Sequence, residues 1–356
     1  MLTHDAVASW DGLLATGLLD VTNDPAALDS EGFWAVVIGF EGEVICARFA
    51  EVRASTTGTG PARWRGPEPQ RWETSLDRGQ FTAAVGRIRE YIAAGEMYQV
   101  NLCRILSAPV APNADILSLA HALRLNNPAP QAGVVRLPGQ HIEVATASPE
   151  LYLRRSGRTV TSNPIKGTGR TESDLLEKDH AENVMIVDLV RNDLGRVCSP
   201  GSVIVPELCA VEKHPGLVHL VSSVEGELRQ DVGWPDLLAA TFPPGSVTGA
   251  PKERALRVIG ELEPVDRGPY CGAVGWVDAD QKRGELAVGI RTFWIDRRDE
   301  LLRFGTGAGI TWGSDPEREW EETELKARRL LRIAASGASG PAWCPPEQDV
   351  RGAPAA

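Results

Sequence analysis

The sequence predicts an α+β fold with mostly antiparallel strands. Two observations carry this. Segments of strand character come in hairpin-like runs, and the helical segments fall between those runs instead of alternating one for one with strands. A doubly wound parallel sheet needs strict β-α-β alternation, which the chain does not supply. Its 356 residues suffice for one large core or two closely merged lobes.

Residues 32–50 read as two strands around Glu41-Gly42, in a small N-terminal β segment. Residues 54–72, rich in Gly, Pro, Thr and Arg, read as a linker or surface loop, so a boundary is expected at 72/73. Asp77 and Gln80 are spaced as a capping box, and Phe81, Val85, Ile88 and Ile92 form the apolar stripe of a helix that Gly95 ends. Residues 98–102 read as a strand, and a short helix over 114–125 stops before Asn127-Pro128. Further strands are expected at 142–147, 151–154, 158–162, 202–205, 217–225, 271–277, 285–296 and 300–304, and helices at 173–194, 232–241, 251–262 and 315–335. The resulting division is 1–72, a small N-terminal β segment and linker; 73–335, the main domain; and 336–356, a disordered tail.

Lys and Arg total 37 against 48 Asp and Glu, a net charge of −11. An acidic chain without a basic run argues against nucleic acid or an anionic membrane as partner. An anionic substrate would need local positive potential from a metal, a few Arg or Lys, or backbone N–H groups. The cysteines, Cys46, Cys103, Cys198, Cys209, Cys271 and Cys344, form no C-x-x-C pair and are too sparse for a disulfide scaffold. They read as reduced thiols of a cytoplasmic protein. Neither a secretory signal nor a stretch of about 18 apolar residues is visible.

Two acidic pairs recur at i, i+3 spacing on helices: Asp179 with Glu182, and Glu319 with Glu322, with Lys326 one turn further on. The first pair precedes Val184-Met-Ile-Val187, apolar nearly all round, so its acidic turn is expected to border the interior. Facing each other across a cation, the pairs would favour Mg²⁺ or Mn²⁺, because their donors are oxygens without His or Cys. Taken alone, each pair also fits a solvated acidic face. Ser314-Asp315-Pro316-Glu317 reads as the capping box of the second helix. Glu317, Glu321 and Glu324 read as solvated.

Gly305-Thr306-Gly307-Ala308-Gly309-Ile310 follows an apolar strand and would let backbone N–H groups approach a ligand, and it fits a strand with tight neighbour packing equally well. It is neither a P-loop nor a dinucleotide fingerprint. Thr248-Gly249-Ala-Pro251-Lys252 leads into a helix whose preceding N–H groups could hold an anion. Arg291 alternates with Ala287, Gly289 and Phe293 on a strand, and an Arg among apolar neighbours usually meets a carboxylate from the protein or a ligand. Lys166, between Ile165 and Gly167, is a candidate nucleophile if desolvated. His219, between apolar residues, fits a satisfied core histidine as well as a proton-transfer group.

These pieces together resemble the chorismate-utilising enzyme family. The resemblance rests on Tyr98-Gln-Val-Asn-Leu102, Ser148-Pro149-Glu150, Pro164-Ile-Lys-Gly-Thr168, Lys178-Asp-His-Ala-Glu-Asn-Val-Met-Ile-Val-Asp-Leu-Val-Arg-Asn-Asp193, and His219-Leu-Val-Ser222. It continues through Thr248-Gly-Ala-Pro-Lys252, Ile290-Arg-Thr292, Gly307-Ala-Gly-Ile310 and Glu319-x-x-Glu-Thr323, in family order over residues 75–335. It implies two antiparallel sheets packed as a β-sandwich flanked by helices. It also implies Mg²⁺ held chiefly by Glu182 and Glu322, with Asp179 and Glu319 in or near that shell. One chorismate carboxylate would bind the metal. The other would meet Arg291, Tyr270 and the N–H groups around Gly307, Ala308 and Gly309, with Thr248, Gly249 and Lys326 lining the site.

Pro164-Ile-Lys-Gly-Thr168 resembles the aminodeoxychorismate synthase component I branch, since anthranilate synthases typically carry Ala at the position of Lys166. Water-adding isochorismate synthases resemble one another in a lysine base where this chain has Gln99. The resemblance then implies amination of chorismate at C4 by ammonia: Lys166 adds at C2, Glu150 serves as acid and later base, and His219 assists. Ammonia would come from a separate glutamine amidotransferase subunit. Anthranilate, aminodeoxyisochorismate or salicylate synthesis are alternatives, as is a non-catalytic chorismate-binding regulatory subunit. The region before residue 75 is short for the family, and His180 stands where Arg is frequent.

Overall fold

The computed structural model describes residues 6–10, 12–55, 64–169, 171–175, 177–214 and 217–335. The tail expected from residue 336, and residues 56–63 of the expected linker, lie outside the described residues. In chain order the strands are β1 (Val7–Trp10), β2 (Gly12–Thr22), β3 (Phe33–Ile38), β4 (Val44–Ser55), β5 (Glu73–Thr74), β6 (Gln99–Pro109), β7 (Gln131–Leu137), β8 (Ile142–Ser148) and β9 (Leu151–Ser156). They continue as β10 (Thr159–Asn163), β11 (Ile165–Gly169), β12 (Ile204–His214), β13 (Leu217–Glu227), β14 (Gly249–Ala250), β15 (Ala273–Asp278), β16 (Arg283–Val288), β17 (Thr292–Asp296) and β18 (Leu301–Ile310). The α-helices are α1 (Arg78–Ala93), α2 (Ile116–Asn126), α3 (Glu177–Gly195), α4 (Trp234–Thr241), α5 (Lys252–Leu262) and α6 (Pro316–Ala334).

Strand pairing among the described residues is antiparallel throughout. One arm of the ladder runs β12, β13, β10, β9, β16, β15, β3, β4, β2, with β11 also on β13. The other runs β1, β7, β8, β17, β18, β6, with β5 and β14 along β6. The β1–β2 hairpin joins them. The larger core draws Val36 and Val274 from the first arm and Leu102 and Val135 from the second, as expected of sheets packed face to face. β3 is buried at all of its positions, so its uninterrupted apolar run reflects cover on both faces. Because β3 pairs with β15 and β1 with β7, the strands before residue 72 are stitched into both sheets.

A second core lies between the outer face of the second arm and helices α2 and α6. There Phe293 of β17 stands opposite Phe304 of β18, ring centroids 4.6 Å apart, a cross-strand pair that contributes about 0.5–1.5 kcal/mol beyond its buried area. Helix α3 packs instead on β11 and β13 of the first arm.

The expected capping box of α1 is present: Asp77 Oδ1 accepts from Gln80 N at 2.8 Å, and Gln80 Oε1 accepts from Asp77 N at 3.0 Å. At α6 the cap moves by one residue. Asp315 accepts from Arg318 N at 3.0 Å, while Ser314 Oγ accepts from Thr311 N at 3.1 Å and closes the preceding turn. Pro316 then takes the first helical position, where its missing N–H costs nothing. Helix α3 is buried on one side only, and Val184 lies 42% exposed. The strand expected over 285–296 is two strands, because β16 pairs with β9 and β15 while β17 pairs with β8 and β18. Gly305–Ile310 forms the second half of β18. No helix among the described residues is long and apolar enough to cross a membrane.

Candidate functional site

Two neighbouring connections carry the chain from one arm to the other: Ser148-Pro149-Glu150 between β8 and β9, and Gly289-Ile290-Arg291 between β16 and β17. They are tied together. Ala147 N donates to Arg291 O at 3.1 Å, Val288 N donates to Glu150 O at 3.0 Å, and the hydroxyls of Thr146 and Thr292 lie 2.8 Å apart. Arg291 adopts φ 51°, a left-handed backbone that a non-glycine residue takes only when its surroundings over-determine it. Arg291 is therefore not an alternating strand residue as the sequence suggested. Burial, and then the Arg329 charge, lower its pKa. Arg291 is half-buried, and no carboxylate among the described residues figures among the charges acting on its guanidinium. A partly desolvated guanidinium without a protein anion could receive a ligand carboxylate.

Glu150 is 3% exposed. Burial pushes its carboxyl up to about 7, against the lowering effects of the Ser246 hydroxyl, the Lys166 charge and the Ile165 N–H. A carboxyl in that range can give and take a proton near neutrality. Lys166, on β11, donates from Nζ to Ser246 O at 2.9 Å. Ser246 thus joins the two groups. It lies in the turn 243–247, and nothing in its spacing marks it. Gly167 adopts φ 72°, and a Cβ there would stand 2.9 Å from Asp179 Cβ, so Asp179 of α3 packs over the residue after Lys166. His219 is 1% exposed on β13, beside Thr168 in the ladder, which puts it on the strand next to Lys166.

The glycines of β18 accept close neighbours. A Cβ on Gly305 would meet the Tyr270 ring at 2.0 Å, one on Gly307 the Cys103 sulfur at 2.6 Å, and one on Gly309 Gln99 Nε2 at 2.4 Å, with Glu182 Oε2 at 3.8 Å. Ala308 is fully buried. β17 pairs with β18 only as far as Phe304, so beyond it the edge away from β6 carries no strand among the described residues. Tyr270 is 5% exposed, and its hydroxyl contacts Cys103 Sγ at 3.9 Å. Thr248 is fully buried and donates to Pro244 O at 3.1 Å. Gly249 adopts φ 147°, and a Cβ there would stand 2.2 Å from Gln99 O, so both the backbone and the packing require glycine. Gln99 itself is 1% exposed, and nothing among the described residues donates to its Oε1.

The acidic residues come from both sides. Glu182 and Asp179 descend from α3 towards Gly309 and Gly167. On α6, Glu319 is 7% exposed. Glu322 ion-pairs with Lys326 at 2.7 Å, and Lys326 donates to Gly307 O at 3.1 Å. No three His, Cys, Asp or Glu side chains among the described residues converge as a metal-binding group. The donor set is nonetheless oxygen only and shared between two helices, which suits a hard cation. Glu324 is not solvated as expected. It pairs with the buried guanidinium of Arg104. Glu317 pairs with Arg78 at the surface.

A family model for chorismate binding enzymes matches residues 42–332. Anthranilate synthase component 1 1 of Haloarcula marismortui is 40% identical over 272 residues, covering 73% of this chain and 54% of that protein. Anthranilate synthase component 1 of Streptomyces coelicolor is 42% identical over 274 residues, covering 74% and 52%. The chain therefore spans about half the length of these relatives. Among solved structures, anthranilate synthase component I from Streptococcus pneumoniae superposes with a TM-score of 0.75 at 25% identity, covering 92% of this chain and 90% of that one.

Proposed function

The chain belongs to the chorismate binding enzyme family, and from that premise we propose that it aminates chorismate with ammonia, as component I of an anthranilate synthase. The observation that carries the substrate is Arg291: a half-buried guanidinium with no carboxylate partner among the described residues, at the same crossover as Glu150. The sequence alone put 4-amino-4-deoxychorismate first and anthranilate second. The relatives' names support the reverse order.

The chemistry then runs as follows. Arg291 binds one chorismate carboxylate. Glu150, protonated near neutrality, gives its proton to the C4 hydroxyl as that group leaves as water. Ammonia forms its bond at C2, and the excess proton passes to a base. Loss of the C2 proton and the enolpyruvyl ether then releases pyruvate and leaves the aromatic amine. Chorismate plus ammonia thus gives anthranilate, pyruvate and water. Glu182 and Glu322 would hold Mg²⁺, with Asp179 and Glu319 beside them; when bound, it would offset the charge of a substrate carboxylate. An amide at position 99 supports ammonia over water. Gln99 cannot serve as a base, yet its buried Oε1 offers an acceptor for an N–H. Ammonia would be supplied by a glutamine amidotransferase subunit.

Lys166 favours a second reading. Its Nζ shares Ser246 with Glu150, so Lys166 would add at C2 as the C4 hydroxyl leaves, and ammonia attacking C4 would then expel it, giving 4-amino-4-deoxychorismate. Lys166→Ala separates the two. The anthranilate reading expects kcat within about tenfold of the parent chain. The adduct reading expects a loss of about 10³-fold or more and disappearance of any protein–substrate adduct in the intact mass spectrum.

A further inference from the structure

Arg267 lies off the reacting groups, between α5 and β15, with its side chain 1% exposed. Its Nε donates to Glu263 Oε2 at 2.8 Å, and Nη2 donates to Glu263 Oε1 at 2.6 Å. Two further donors go to backbone carbonyls: Nη2 to Asn101 O at 2.7 Å and Nη1 to Val247 O at 2.9 Å. Glu263 Oε1 also accepts from Cys103 N at 2.8 Å. The guanidinium is covered by the Phe40 ring, 4.2 Å from its centroid.

The carbonyls it holds belong to the floor of the candidate site. Val247 precedes Thr248. Asn101 stands opposite Gly309 in the β6–β18 ladder, and its N–H donates to Thr248 O at 2.8 Å. One planar fork therefore sets the spacing between the Thr248-Gly249 turn and the strand that faces Gly309 and Glu182. There is little slack, since Gly249 already lies against Gln99 O. A buried ion pair contributes little net stability compared with an apolar replacement, so stability alone does not account for this one. Lysine would keep the charge and lose the fork.

We infer that Arg267, oriented by Glu263, is a positioning residue for chorismate: it acts through the backbone of Val247 and Asn101 to fix the floor of the site. This rests on the chorismate reading. The test is direct binding of chorismate to the full chain by calorimetry with MgCl₂ present, alongside KM, kcat and thermal melting, for the parent, Arg267→Lys and Glu263→Gln. Expected is an increase of about tenfold or more in both Kd and KM for Arg267→Lys, a smaller increase for Glu263→Gln, and kcat changed much less. A lower melting temperature with unchanged Kd and KM makes the pair merely structural and overturns the inference. If Arg267→Lys does not fold, Glu263→Gln decides on the same criterion. Failure of the parent chain to bind chorismate is seen before any variant is compared, and overturns the functional reading along with the inference.

Discussion

Glu150→Gln is expected to lower kcat by about 10²–10⁴-fold, the usual contribution of a positioned acid–base group, and to stabilise the fold above neutral pH. Gln keeps the shape and cannot give a proton to the leaving hydroxyl. The stability effect follows from the direction of the shift. Burial raises the carboxyl from 4.5 to about 7, so the folded state holds the proton more tightly than the unfolded one. The stabilisation this provides is fully present below the unfolded value and is lost as pH rises through the folded one. A shift of that size corresponds to about 3 kcal/mol carried as an ionised buried carboxylate at about pH 8. Melting curves at about pH 4 and pH 8 should therefore show the variant gaining on the parent only at the higher pH. Unchanged turnover in Glu150→Gln would remove it from the mechanism.

Glu182→Ala is expected to cut kcat/KM by more than about 10²-fold at millimolar Mg²⁺, with partial recovery at higher Mg²⁺. Its carboxylate reaches the Gly309 end of β18 from α3, while Glu322 approaches from α6 and is held by Lys326. Cation binding must then displace Lys326 or share Glu322 with it. A chelator should stop turnover, and added Mg²⁺ should restore it. Full activity in excess chelator would refute the proposed role of both acidic pairs.

Local rules made much of the fold legible in the sequence. The capping box of α1, its stripe of Phe81, Val85 and Ile88, and the positions of α2, α4 and α5 follow from residue spacing alone. Non-local geometry was not legible. Residues 285–296 alternate like one strand, yet the chain breaks at Arg291 because its two halves pair with different neighbours. The glycines of β18 fit a ligand-facing backbone and a tightly packed strand equally well in sequence, which cannot show that Tyr270, Cys103 and Gln99 fill the space their side chains would need. Glu324 looked like its solvated neighbours until Arg104 was brought to it from β6. Ser246 and Arg267 make contacts with residues 80 and 166 positions away in sequence, which no local pattern encodes.

The central claim, amination of chorismate, is tested most directly by incubating the purified chain with chorismate, MgCl₂ and an ammonium salt, and identifying products by mass and NMR. The account predicts anthranilate with stoichiometric pyruvate, dependent on ammonium. 4-Amino-4-deoxychorismate without pyruvate would transfer the assignment to the Lys166 adduct reading, and isochorismate or unconsumed chorismate would contradict the account.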